Sequence, residues 1–238
     1  MLQPRSSLLG RILPFVIIAV LYALPFLPGV GQNRYLLSLL IGAFVFAVFA
    51  MSFDVLLGYT GIVSFGHALF FGAGTYAAAL LAKYYGVGFW ASIALAPAIA
   101  AALALIIGGL SLRVRGVYFA MVSMAFAEFF RVAAEKFSSI TGGSDGLSVQ
   151  VAPDWAYGPR NRVELYLLTL TLAAVVFLVL RRIIGSPFGR VLVAIRENEQ
   201  RAAAIGYNVF AFKLGAIVLA GAVAAVAGVM YAATENFV

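Results

Sequence analysis

The residues able to perform acid–base, nucleophilic or metal chemistry are few in this chain of 238 residues. There is no cysteine, which excludes disulfides, thiolate nucleophiles and cysteine-based metal sites. The one histidine, His67, has no companions at metal-ligand spacing. We interpret it as a neutral imidazole bonded to a neighbouring helix, with a proton relay as the alternative. An enzyme would need a nucleophile with a base, or a metal cluster, so the sequence argues against one.

Two further ionisable side chains, Glu128 and Arg131, interrupt an apolar stretch. Their spacing of three places them within reach of each other on a helix. A charge at the bilayer centre costs about 2.5–3.5 kcal/mol on insertion scales, and pairing near a helix end lowers that cost. We therefore expect a structural ion pair. Asp54, close to the end of another apolar run, is expected to cap or bond to the following turn.

The composition predicts that these residues are held by membrane helices. The chain is 64% hydrophobic and only 11% charged, whereas a soluble domain has about a quarter charged residues. Its repeated apolar runs are long enough to cross about 30 Å of hydrocarbon as helices. The predicted fold class is all-α, a single polytopic transmembrane helical bundle over residues 1–238. About seven spans are expected, at residues 12–30, 35–57, 60–82, 89–110, 116–134, 163–180 and 212–233.

The net charge of +7 indicates membrane topology rather than nucleic-acid binding, because basic residues lie mainly between the spans. With a cytoplasmic N-terminus, ten of them face the cytoplasm and six face outward, as the positive-inside rule requires. A signal peptide is the alternative for the first run, but no A-x-A cleavage pattern closes it. The inner group is Arg5, Arg11, Arg113, Arg115, Arg181, Arg182, Arg190, Arg196, Arg201 and Lys213, and the outer group is Arg34, Lys83, Arg131, Lys136, Arg160 and Arg162.

The cytoplasmic loop at 185–211 contains the polar stretch IRENEQRAAAIG, residues 195–206. A short helix is predicted from Arg190, and Gly206 offers a stop. One interpretation is an amphipathic helix on the lipid surface. The other is a docking helix whose alanines 202–204 enter a groove on a soluble protein, with charges fixing the register.

The third predicted span is rich in glycine, with GYTGIVSFGHALFFGAGTY at residues 58–76. Small residues allow helices to approach closely in membranes. Glycines also interrupt helices that line transport sites and expose their backbone groups to a solute. Both roles remain open at this point. The residues that we assign to a translocation path are Gly61, Ser64, Gly66, His67, Gly72 and Thr75.

The outward, periplasmic loop at 135–162 holds a turn-forming run with the composition of a tight turn. It is either a solvated turn or part of an outer mouth that receives solute, and Asp154 and Trp155 could extend that surface. The residues assigned to the mouth are Thr141, Gly142, Gly143, Ser144 and Asp145.

Three stretches, at residues 56–81, 115–147 and 189–232, make the chain resemble permease subunits of ATP-binding-cassette importers for branched-chain amino acids, of the M type. The resemblance implies an inner-membrane transport subunit that is not an enzyme and needs no cofactor of its own. ATP would bind to partners, since the chain has no GxxxxGK[ST] motif. Two ATPase subunits, a second permease subunit and a periplasmic or extracellular amino-acid-binding protein are the implied partners.

In this interpretation the cytoplasmic loop couples the permease to the ATPases. Such permeases normally continue through further spans, so the chain is expected to be the N-terminal portion of one, and a non-transporting fragment is an alternative. A transporter driven by an ion gradient is another, with Glu128 as its embedded acidic group. The residues assigned to ATPase coupling are Arg190, Arg196, Glu197, Glu199, Ala202, Ala203 and Gly206.

Overall fold

The structure, a computed structural model, describes residues 8–27, 29–114, 116–158, 161–235 and 237, with side chains from residue 12. Arg5, Arg115 and Arg160, and the side chain of Arg11, lie outside these described residues. The helices are α1 Leu8–Ala23, α2 Arg34–Asp54, α3 Ala68–Tyr85, α4 Phe89–Ser111, α5 Val117–Lys136, α6 Ser138–Thr141, α7 Arg162–Ile184, α8 Pro187–Glu197, α9 Glu199–Ala204 and α10 Val209–Glu235.

The all-α, polytopic fold class is confirmed. Within the described ranges, five helical stretches are long and apolar enough to cross a membrane: 34–60, α4, α5, α7 and α10. The apolar helical stretch Ile12–Phe26, which comprises most of α1 and the 3-10 turn after it, is shorter. The 18-residue α3 fills the place of the third predicted span and carries Gly72, Gly74 and Lys83. Five of the seven predicted spans are therefore full-length apolar helices, and α1 and α3 stand in the places of the other two.

The two long loops lie at opposite ends of α7, a helix of 23 residues that is about 34 Å long at 1.5 Å per residue. The segment 137–161 precedes α7 and α8–α9 follow it. An isolated bridge between Ser148 and Phe237 joins the first of these loops to the end of α10. The side of the membrane that each loop faces, and the cytoplasmic position of the N-terminus, stay predictions.

The third span does not begin at Thr60, as the sequence predicted. Helix α2 continues instead into one π-helical turn, Val55–Thr60, and the helical path then ends at Gly61, whose φ of +74° is left-handed. Residues 61–67 are non-helical, and α3 begins at Ala68. The prediction was wrong because hydropathy registers an apolar chain whether it is helical or broken. The predicted cap at Asp54 is also absent, since its side chain makes no cap hydrogen bond.

Helix α10 fills the centre of the bundle and packs against α2, α3 and α4. Its buried residues are mostly alanine, glycine and valine, which allow the neighbouring backbones to approach closely. At Gly228, an added Cβ would overlap the carbonyl oxygen of Phe71 in α3. Because dispersion contacts require such proximity, these small residues determine how tightly α3 packs against α10.

The predicted single helix of the cytoplasmic loop is two helices, α8 and α9. Asn198 separates them with an extended backbone, and its side chain caps α9 by accepting from the Arg201 N–H at 2.8 Å. A cap of this kind stabilises a helix by about 1 kcal/mol. Gly206, at φ +98°, follows the end of α9 in agreement with the predicted stop.

Candidate functional site: two clefts and the segment between them

The first cleft lies between α3 and α5 and has a volume of about 890 Å³. Its walls are mainly apolar, with the start and middle of α3 on one side and the second half of α5 on the other. It extends to the turn that follows α5, where Thr141, Gly143 and Ser144 border it. We call it the α3–α5 cleft. Gly72 from the predicted path and three of the five predicted mouth residues therefore share one cavity.

A charged cluster forms part of the wall of this cleft. The guanidinium of Arg131 donates to both carboxylate oxygens of Glu128, at 2.9 and 2.6 Å, and also pairs with Glu135 one turn later. The predicted pair of Glu128 and Arg131 is confirmed, and the structure adds Glu135 to it. All three side chains are more than half exposed in the isolated chain. The cleft thus presents both signs of charge beside apolar surface.

The predicted outer turn is folded onto the end of α5. The Thr141 hydroxyl donates to the carbonyl oxygens of Ala134 and Phe137 and accepts from the Gly143 N–H. Gly142 adopts a left-handed φ of +78° that favours glycine. Gly142 and Asp145 do not line the α3–α5 cleft, whereas their neighbours do.

The second cleft, of about 950 Å³, lies at the other end of α5. It is bordered by the first residues of α5, the start of α10 and the exposed side of α9, including Ala203. We call it the α9 cleft. Lys213 in its wall forms a 2.6 Å ion pair with Glu199. Gly61 of the predicted path lines this cleft and not the first one.

Residues 61–67, which we call the linker segment, lie between the two clefts. Ser123 anchors the segment to α5, because its hydroxyl accepts from the N–H groups of Phe65, at 3.1 Å, and Gly66, at 3.3 Å. At Gly66 any Cβ would overlap the backbone of Ser123, so only glycine fits this contact. Ser123 is the seventh residue of α5, which places the contact roughly 9 Å into the helix at 1.5 Å per residue.

His67 closes the linker segment against α2. Its Nε2 lies 2.7 Å from the Ser52 hydroxyl, and that hydroxyl donates to the Phe49 carbonyl oxygen at 2.6 Å. The imidazole is buried and contacts the rings of Phe49, Phe53 and Phe70. The predicted hydrogen bond to a neighbouring helix is confirmed. His67 lines neither cleft.

The remaining predicted path residues are packed inside the bundle. Ser64 and Gly66 line a small cavity of about 20 Å³, and Ser111 also faces it without a hydrogen-bond partner among the residues that the structure describes. A cavity of that size holds about one water molecule. Thr75 donates to the carbonyl oxygen of Phe71 in its own helix and lies against Gly228. These three residues therefore support helix packing rather than the surface of a cleft.

The α8 helix attaches the loop at 185–211 to the bundle. Its apolar face is buried through Val191, Leu192 and Ile195, which argues against a helix whose apolar face lies in lipid. On its exposed side, the Arg196 guanidinium donates to the carbonyl oxygen of Gly58 in the π-helical turn. The side chain of Arg196 also packs against Gly61, where an added Cβ would meet it. Helix α8 thus contacts the start of the linker segment directly.

Some of the loop residues predicted to dock an ATPase are exposed, and others are held in contacts within the chain. Arg190, Glu197, Ala203 and Gly206 are exposed. Ala202 is only 2% exposed and packs against the bundle, so its prediction as a docking surface was wrong. The helical period turns it inward, and the three alanines of the sequence look alike from composition alone.

Sequence reasoning missed Phe65, Ser123, Ser52 and Tyr76. Phe65 and Tyr76 line the α3–α5 cleft, and the two serines hold the linker segment. An aromatic residue within an apolar run gives no sequence signal of its position. The serines carried a weak signal, since hydroxyl groups in spans usually bond to a carbonyl or to a neighbouring helix.

Comparison with known proteins gives one family and several relatives. Residues 35–238 match the family described as branched-chain amino acid transport system / permease component. The high-affinity branched-chain amino acid transport system permease protein LivM of Salmonella typhimurium is 29% identical over 257 aligned residues, covering 98% of this chain and 60% of the relative. LivM of Escherichia coli K12 is 32% identical over 218 residues, covering 82% and 51%.

A third relative, the probable branched-chain amino acid transport permease protein LivM of Methanocaldococcus jannaschii, is 26% identical over 220 residues, covering 79% of this chain and 64% of the relative. The chain therefore spans between 51% and 64% of the length of these curated relatives. No solved structure matches it. The resemblance inferred from the three sequence stretches is confirmed.

Proposed function

We propose that this chain, which belongs to the family of permease components of branched-chain amino acid transport systems, forms part of the solute path of an ATP-driven importer. The observation that carries the proposal is the arrangement of two clefts at opposite ends of α5, separated by a broken helix. Alternating access needs two such openings with a closure between them. We place this importer in the plasma membrane of the cell.

The α3–α5 cleft supports an aliphatic amino acid as solute. Its apolar walls suit a hydrocarbon side chain, while the Glu128–Arg131–Glu135 cluster offers both signs of charge to an ammonium and a carboxylate. The turn at 141–144 forms the rim of this cleft and is our candidate surface for a solute-delivering binding protein. Such delivery would take place on the side opposite α8 and α9.

The exposed surface of α8 and α9 is our candidate docking site for two ATPase subunits, in complex with a second permease subunit. Arg190 and Glu197 are available on this surface, and Gly206 shapes its end, whereas Ala203 lines the α9 cleft. Charges at the rim of an interface fix register and association rate. Nucleotide-driven closure of the ATPases would displace α8 and, through it, the linker segment.

The test is ATP hydrolysis and leucine uptake in proteoliposomes that contain this chain, the second permease and the ATPases, with the solute-loaded binding protein added on its side of the membrane. Glu197→Arg reverses an exposed charge at the last residue of α8, and we expect loss of at least about 90% of solute-stimulated ATP hydrolysis, a tenfold effect of about 1.4 kcal/mol. Glu235→Arg is the matched control, because it reverses an exposed charge at the last residue of α10, at the other end of the bundle.

Two results would contradict the proposal. Equal solute-stimulated ATP hydrolysis in Glu197→Arg and Glu235→Arg would show that the α8–α9 surface is not the ATPase docking site. Uptake that persists without ATPase subunits and collapses with the proton gradient would assign the chain to ion-driven transport instead.

A further inference from the structure

We propose that Phe65 is the gate between the α3–α5 cleft and the α9 cleft, and that Arg196 holds this gate in its closed position. The inference rests on the proposed function, since it takes the two clefts as halves of one solute path. Among the residues that the structure describes as lining either cleft, Phe65 is the one shared by both. Its side chain is 63% exposed, although the residues on either side of it are buried.

The backbone at Phe65 is fixed while its ring is free. The Ser123 hydroxyl accepts from the N–H groups of Phe65 and Gly66, and Gly66 touches the backbone of α5. On the far side, His67 is bonded to Ser52 of α2. A ring held at its base and unpacked at its tip can turn between two cavities without disturbing the bundle.

The other end of the linker segment offers a hinge. Gly61 has a left-handed φ of +74°, follows a π-helical turn, and lies four residues before Phe65. π-helical turns are less stable than α-helical ones and often occur at functional positions. Rotation at Gly61 would shift residues 62–64 against the anchored backbone of Phe65 and so change the space that is open to its ring.

Arg196 connects this hinge to α8. Its guanidinium donates to Gly58, and its aliphatic part packs against Gly61. Arg196 belongs to α8, so a movement of α8 carries the Arg196 side chain with it. A displacement of α8 therefore reaches Phe65 through one hydrogen bond and the short non-helical stretch from Gly61 to Phe65. Arg196 is a positioning residue in this scheme, because it acts on the solute path only through the linker segment.

The absence of cysteine makes the gate measurable in the full chain, because an introduced cysteine is its one thiol. Ala203→Cys reports on the α9 cleft, and Ser144→Cys reports on the α3–α5 cleft. A membrane-impermeant cationic methanethiosulfonate is added to sealed vesicles from the side of the 137–161 loop, without ATP. Ser144→Cys must label from that side, which establishes sidedness and folding.

With Phe65 in place we expect Ala203→Cys to stay protected, and with Phe65→Ala to label at least about tenfold faster. Phe65→Trp should keep the protection, since it keeps an aromatic plug. Phe137→Ala is the matched control: Phe137 is 62% exposed and lines the α3–α5 cleft alone. If Ser144→Cys no longer labels when combined with Phe65→Ala, that variant has failed the folding control, and Phe65→Leu takes its place.

Arg196→Ala should also expose Ala203→Cys, by a few-fold, and Arg196→Lys should restore protection because it keeps a donor. Arg182→Ala, which removes an exposed arginine from the last turn of α7, should change nothing. The inference is overturned if Phe65→Ala leaves Ala203→Cys protected, or if Phe137→Ala exposes it equally. Labelling needs neither ATP nor solute, so its failure is distinct from a failure of ATP-driven uptake.

Discussion

The two faces of α3 carry the same residue type in opposite surroundings. On the face toward α10, an added Cβ at Gly74 would overlap the backbone of Ala225. On the face toward α5, an added Cβ at Gly72 would meet nothing within 4 Å and would point into the α3–α5 cleft. Glycine permits close helix packing on one face and leaves open volume on the other. The comparison teaches that glycine content alone does not separate a packing face from a solute path.

The largest difference between the two faces is expected when the same large side chain is placed on each of them. Gly74→Leu should destabilise the fold by about 3 kcal/mol, because the backbones of α3 and α10 would have to separate. Gly72→Leu should leave the melting temperature unchanged while it lowers transport by filling the cleft. Thermal unfolding in detergent, followed by size-exclusion chromatography, measures the first effect. Equal melting temperatures for both variants would contradict the assignment of the two faces.

A smaller effect is expected where the linker segment meets α5. Ser123→Ala removes the acceptor for the N–H groups of Phe65 and Gly66 and should destabilise the fold by about 1–3 kcal/mol, the cost of unpaired buried donors. Ser92→Ala is the control, because Ser92 is also buried but its hydroxyl donates to the carbonyl oxygen of Gly88, the residue that precedes its own helix. A loss for Ser92→Ala as large as that for Ser123→Ala would remove the anchoring role of Ser123.

The smallest effect is expected in the exposed ion cluster of the α3–α5 cleft. Glu135→Gln removes one of two carboxylates from Arg131, and Glu128 remains as a bidentate partner. Exposed pairs of this kind are screened by solvent and add little to stability. We expect no measurable shift in melting temperature, at low or high salt. A clear drop at low salt would mean that lipid or a partner subunit shields the cluster from water.

Much of the bundle could be predicted from the sequence because lipid imposes one rule on every span. Hydropathy located α4, α7 and α10 to within a few residues, since a long apolar run in a membrane has to be helical. The same rule explains the error at Thr60. The linker segment bonds two of its backbone N–H groups to Ser123 and its His67 imidazole to Ser52, and these partners lie 58 residues from Phe65 and 15 residues from His67.

The candidate site was less accessible to sequence reasoning because it depends on which way a residue faces. Ala202 and Ala203 are neighbours with equal propensities, yet one is buried and the other lines the α9 cleft. Gly61 and Gly72 lie in the same glycine-rich stretch and line different clefts. The residues of the gate could not be found from composition, since Phe65 is one of 20 phenylalanines.

The central position of α10 has a consequence for how the molecule is made. Helices α2, α3 and α4 leave the ribosome first, and the element that fills the space between them follows more than ninety residues after the end of α4. Until then, their surfaces for α10 have only lipid to contact, and the native contacts of α2 with α10 join segments that lie far apart in the sequence. The core around α10 therefore assembles only after α10 has been made, and the earlier helices have to stay close together until then.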